Sequence, residues 1–304
     1  MLRSRTMQLP TAFGLLLIFL AGNAAGQVAV DDSLSVDRGR LLGVSSVGVG
    51  VMGASLVVLD RAWYAQYERT SFHWFDDGPE WLQMDKAGHV FSCYWIGRWG
   101  DGLMQWSGVG GRHSAWIGAA TGMVFMGGVE VLDGFSSGWG FSGWDMAANA
   151  AGTAMFLGQE LGWGEQRIKL KLSASPTPFA QQRPDLLGRS LGERLLKDYN
   201  GQTVWLTSSV GAFAPGKGIW RAVGLGIGYG AEDMLSARAV RDDVGSSDPR
   251  SRQFFIGLDL DLERIPTRSR SLRTVFFLLN CIKLPTPAIE LRDNGRILVH
   301  GLYF

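Results

Sequence analysis

Cysteine is scarce in this chain: Cys93 and Cys281 are its only two, each set among apolar neighbours. Two such residues so far apart read as separate buried thiols, with a disulfide after export left as the alternative. No cysteine follows the first apolar run, so no lipid-acceptor thiol is expected there. Neither an HExxH helix nor a cysteine-pair zinc pattern occurs. An excess of one charge is also missing: 29 basic side chains face 28 acidic ones, and no basic stripe is laid out to neutralise phosphates. Nucleic acid is therefore not expected as a partner. The glycines of Gly108-Val109-Gly110-Gly111 lack the strand-to-helix context of a phosphate loop, and Ser136 and Ser137 have no GxSxG elbow around them.

What the chain does have is glycine (42 residues) and tryptophan (12), in a composition 46% apolar. Small residues let helices approach closely, and tryptophan favours a membrane interface. The start has the order of a signal peptide over residues 1–26: Arg3 and Arg5, an apolar run over 11–21, then Asn23-Ala24-Ala25-Gly26 before Gln27. Three acids, Asp31, Asp32 and Asp37, lead into an apolar stretch over 41–59. Its length is close to that of a membrane span, and Trp63, Tyr64 and Tyr67 follow it like an interfacial belt. The competing reading is a helix buried in a large soluble core.

Periodicity then predicts helices over 84–99, 113–132 and 144–162, joined between the last two by the glycine-rich turn 134–143, which makes those two antiparallel neighbours. Residues 165–200 are charged and broken by Pro176, Pro178 and Pro184; they read as a linker with an amphipathic helix over 186–197. Strands are expected over 203–214, 222–229, 253–263 and 296–304, with a helix over 271–282. In Gly224-Leu225-Gly226-Ile227-Gly228-Tyr229-Gly230, glycine at alternate positions leaves one strand face bare, so a ring can pack against it. The resulting expectation is an α+β chain: signal peptide 1–26, a membrane-associated bundle of about four helices over 27–164, the linker 165–200, and a β-rich region 201–304.

Polar residues interrupt the helices at helical spacing. Asp85, Lys86 and His89 open the first of the three, Glu130 and Asp133 close the second, and Asp145 and Asn149 open the third. Residues three or four apart share a helix face, and the tight turn brings the end of one helix beside the start of the next. Asp85, His89, Glu130, Asp133, Asp145 and Asn149 are thus expected to meet at one end of the bundle, with Gly152 letting a neighbouring helix come close. Acids in apolar helices are costly unless paired, coordinated or hydrated. Three uses follow. In a structural core Lys86 pairs with an acid, Asp145 caps its helix and Asn149 satisfies backbone. In a hydrolytic site His89 works with Asp85, Glu130 or Asp145 as acid and base. In a divalent-metal site the oxygens are joined by one imidazole. The spacing leaves all three open, and no cofactor is named by it.

The stretches Asp85-Lys86-Ala87-Gly88-His89, Glu130-Val131-Leu132-Asp133-Gly134 and Gly140-Phe141-Ser142-Gly143-Trp144-Asp145-Met146-Ala147-Ala148-Asn149-Ala150-Ala151-Gly152 resemble the YfiM-type family of uncharacterised bacterial envelope proteins. Residues 201–206, 228–232 and 301–304 resemble its longer members. The helices alone are loosely similar to VanZ-like membrane proteins, but Asp133 stands where those carry glutamine and residues 136–142 hold no arginine. The resemblance implies an exported protein of unsettled activity; YfiM-type chains are commonly described as periplasmic lipoproteins. The expected function is a membrane-associated structural or interaction protein of the cell envelope, with lipid as partner; the alternative is a membrane-embedded hydrolase or lipid-modifying enzyme. Leu302 and Phe304 end the chain like an outer-membrane strand, though His300 and Arg296 share that face, and favour the outer membrane over periplasm or inner membrane.

Overall fold

The computed structural model describes residues 36–64, 67–214, 217–239 and 250–304, without the side chains of residues 62 and 63. The signal-peptide reading, Asp31 and Asp32, and the Trp63 side chain lie outside what is described. Helix α1 (Arg38–Leu59) starts on Asp37, whose carboxylate accepts from the Arg40 N–H, and buries none of its residues. That removes the buried-core reading of this stretch. Tyr64 is not an interfacial ring: it is buried, donates its hydroxyl to Asp133 at 2.6 Å, and packs edge-on against Trp139.

Three helices follow: α2 (Met84–Trp106), α3 (Gly111–Gly134) and α4 (Gly143–Trp163). Each is longer than periodicity alone predicts, α2 most of all, since it runs on through Leu103, Met104 and Trp106. α2 is the central one. Its glycine neighbours let backbones touch: a Cβ on Gly118 of α3 would sit 2.3 Å from the Gly97 carbonyl oxygen, and one on Gly152 of α4 would sit 2.2 Å from that of Val90. Tyr94, Trp95 and Phe156 fill the space between α2, α4 and the sheet. The Trp95 indole N–H donates to the Leu170 carbonyl at 2.7 Å, so burying that ring leaves no polar atom unmet.

The C-terminal half is one antiparallel sheet of six strands in sequence order: β1 (Ile168–Ala174), β2 (Gln202–Ser209), β3 (Val223–Glu232), β4 (Ser251–Leu260), β5 (Thr286–Arg292) and β6 (Ile297–Tyr303). The chain is therefore α+β, helices first. The stretch expected to be a linker contains β1; its helix is shorter, Leu191–Lys197, with a capping box on Ser190 and Glu193. Strand β5 was not anticipated, and helix α6, numbered after that short helix α5, covers Arg270–Leu279.

The two faces of the sheet are opposite in character. One row crosses five strands in register: Leu206, Ile227, Ile256, Ile289 and Val299. All five are exposed, Ile227 at 59% and Val299 at 80%. The other face is curled inward over Trp205, Phe255, Ala288 and Tyr303. There the bare glycine face does its expected job, since a Cβ on Gly228 would meet the Trp205 ring at 2.9 Å. The same interior holds charges. Lys169 pairs with Asp261 at 2.8 Å, Lys171 with Asp259 at 2.9 Å, and Arg98 reaches across from α2 to grip Glu263 with two bonds of 3.1 and 2.9 Å.

Candidate functional site

The cluster forms where α2 begins, α3 ends and α4 begins. The turn 134–143 is laced to the preceding loop: the amides of Thr70, His73 and Phe75 donate to the carbonyls of Phe135, Gly134 and Phe141. This two-loop cap covers the bundle end. Three residues before α2, Trp81, Leu82 and Gln83, have left-handed backbone (φ 49°, 49° and 65°). Non-glycine residues pay strain there unless their surroundings hold them. The Leu82 carbonyl is held by the Tyr229 hydroxyl and by Arg252, so the sheet fixes the approach to Asp85.

Asp77, on the loop, was not anticipated; nothing in its local sequence separates it from other loop acids. It joins Asp85 and Asp145 around one ammonium: Lys86 Nζ lies 2.6 Å from Asp77, 2.8 Å from Asp85 and 3.0 Å from Asp145. Burial pushes the Asp77 carboxyl up, but hydrogen bonds from Asp145, Lys86 and Ser142 outweigh it and hold the group below its ordinary range. Ser142, rather than Asp145, caps α4: its hydroxyl accepts from the Asp145 N–H at 3.0 Å. Asn149 does not serve backbone either. Its carbonyl oxygen lies 3.0 Å from His89 Nδ1 and accepts from the Cys93 thiol at 3.5 Å. Cys93 and Cys281 are both free thiols.

His89 stands between two acids, with Nδ1 at 3.6 Å from Glu130 Oε1 and Nε2 at 3.9 Å from Asp145 Oδ1. Glu130 is fully buried and its other oxygen accepts from the Ser142 N–H at 3.2 Å. Asp133 turns away toward the Tyr64 hydroxyl, so it borders the cluster rather than facing His89. Five carboxylates (Asp77, Asp85, Glu130, Asp133 and Asp145) thus lie at this end of the bundle, and Lys86 pairs with three of them, Asp77, Asp85 and Asp145. Such a surplus calls for protons or a cation, since an unpaired charge away from water is expensive. Of the expected residues, His89, Glu130, Asp145 and Asn149 meet directly, Asp85 joins through Lys86, and Asp133 stands apart.

Residues 73–157 match a family model described as a predicted periplasmic lipoprotein (DUF2279). The matched segment, a domain of unknown function, contains all five acids together with Lys86, His89 and Asn149, and stops short of the sheet. It is consistent with the cell envelope. No curated protein and no solved structure matches the chain.

Proposed function

We propose that the chain is a membrane-embedded envelope protein whose helices and sheet together present an apolar collar to lipid, with a structural or interaction role. The observation carrying this reading is the inverted polarity of the sheet. In a water-facing antiparallel sheet the apolar side turns to the core and the polar side to solvent. Here the apolar row Leu206, Ile227, Ile256, Ile289 and Val299 faces outward, while Lys169, Lys171, Asp259 and Glu290 are buried behind it. Apolar-out, polar-in alternation is the pattern of strands in outer membranes, and β3 and β4, at 10 residues each, have the length of such strands. Helix α1 adds 22 residues, about 33 Å at 1.5 Å per residue, with nothing buried. The helices α1 and α3 both have the length and hydropathy of a span. The outer membrane is the favoured location because it is where strands of this polarity reside.

Separating inner from outer membranes and washing each with alkaline carbonate tests the reading. The chain should stay in the outer-membrane pellet, and an Ile227→Glu, Ile256→Glu double variant should be lost from it. Recovery of the wild-type chain in the soluble fraction would sink the proposal. The hydrolytic alternative draws its support from the His89 ring lying within 4 Å of both Glu130 and Asp145. A loss-of-function phenotype for His89→Ala at normal protein level favours it; lost abundance favours packing.

A further inference from the structure

We propose that His89, Glu130 and Asp145 form a binding site for one divalent transition-metal ion. One nitrogen of His89 and one carboxylate oxygen from each acid lie within 4.8 Å of one another. An imidazole with two carboxylates is a donor set that zinc and manganese accept, and three protein ligands leave a further position open.

An acidic cluster alone would not carry this. The independent observation is that a buried oxygen aimed into the cluster, Glu130 Oε1, has no hydrogen-bond partner among the described residues, with His89 Nδ1 3.6 Å away. Glu130 is fully buried and Asp145 is 5% exposed. Asp145 Oδ1 is ion-paired with Lys86 Nζ at 3.0 Å, so the oxygen left without a partner is that of Glu130. A second group of acids, Asp77, Asp85 and Asp145, has comparable spacing, but Lys86 sits among those three and supplies their positive charge. In the group containing His89, Lys86 reaches Asp145, and no lysine or arginine ion pair to Glu130 occurs among the described residues.

The histidine is oriented for the task. Its Nδ1 lies 3.0 Å from the Asn149 carbonyl oxygen, which accepts a hydrogen bond from that N–H and leaves Nε2, 3.9 Å from Asp145 Oδ1, as the nitrogen with a free lone pair. A metal-bound histidine generally donates its other N–H to an oxygen in this way. Ligand atoms about 2.0 Å from a tetrahedral zinc are about 3.3 Å apart. The observed Nε2 to Asp145 separation of 3.9 Å exceeds that by about 0.6 Å. Any carboxyl proton held in the metal-free cluster leaves as the metal enters. Asn149 is a positioning residue, acting through His89.

The test uses the full chain in detergent, stripped with chelator and titrated with zinc chloride, then manganese chloride, by calorimetry. One ion per chain is expected, with a rise in thermal midpoint on loading. His89→Gln and Glu130→Gln should each weaken binding about tenfold or more, Asn149→Ala should weaken it with all three ligands retained, and His300→Gln should leave it unchanged. Where a ligand variant fails to fold, cobalt loaded into the wild-type chain gives the second readout: a d–d spectrum of an ion bound by one nitrogen and carboxylate oxygens supports the site. Absence of saturable binding by the wild-type chain overturns the proposal. So does binding that survives intact in folded His89→Gln and Glu130→Gln variants, or a cobalt spectrum of an ion bound by water alone.

Discussion

The chain buries two ionic networks, and they are built to opposite rules. At the sheet, three acids each have a cation close by: Asp259 has Lys171 at 2.9 Å, Asp261 has Lys169 at 2.8 Å, and Glu263 has Arg98 at 2.9 Å. Asn280 adds hydrogen bonds to Asp261 and Glu263 at 2.9 and 2.7 Å, so the interior neutralises itself. At the bundle end, Lys86 pairs with three acids, Asp77, Asp85 and Asp145, while Glu130 makes no ion pair with a lysine or arginine among the described residues. In the first network each buried charge has an opposite charge beside it, which offsets part of its desolvation cost. The second is left unbalanced at a place where the backbone is strained and two loops close over the helix ends, and that is where a role beyond packing is to be sought.

The contrast can be broken from either side. Arg98→Met removes the clamp between α2 and the sheet and leaves Glu263 buried; the expected cost is about 4 kcal/mol, read as a large fall in thermal midpoint. Lys86→Met strips the bundle end of its one lysine and should cost about 3 kcal/mol, somewhat less because the site retains some exposure. Glu130→Gln in metal-free protein should change stability by no more than about 1 kcal/mol, in either direction, because the carboxyl it replaces has no cation to lose. A cost for Glu130→Gln equal to that of Glu263→Gln would erase the distinction between the networks.

The smallest effect concerns Lys283. It lies 1% exposed beside Asp259, which Lys171 already pairs, and burial pushes its ammonium down to about 8, with Lys171 adding to the shift and Asp259 opposing it. The unfolded chain, with lysine near its ordinary value of about 10.4, binds more protons between those limits. Stability should accordingly rise with pH from about 8 to about 10.4. Lys283→Met should flatten that rise in thermal midpoint, and an unchanged slope would remove Lys283 as its source.

Much of the helical half was legible because a period of 3.6 survives in the sequence, and the pairs Asp85 with His89 and Asp145 with Asn149 follow from that period alone. The strand β1 was not. Ile168-Lys169-Leu170-Lys171-Leu172 alternates well, but lysine at every second position reads as a solvated segment unless the sheet interior is known to be the charged side. Strand β5 carries Pro287 and a buried Glu290, two signals against a strand that only its neighbours β4 and β6 override.

Local sequence determined which residues form helices, that glycine would clear a face of β3 for a ring, and that a tight turn would bring Glu130 beside Asp145. Each depends on spacing within a few residues, which chain geometry fixes directly. Tertiary structure alone decided that Asp77 joins the cluster from a loop, that Asn149 turns the His89 ring, and that the sheet points its apolar face outward. Those outcomes depend on distances between segments far apart in the chain, and no local period encodes them.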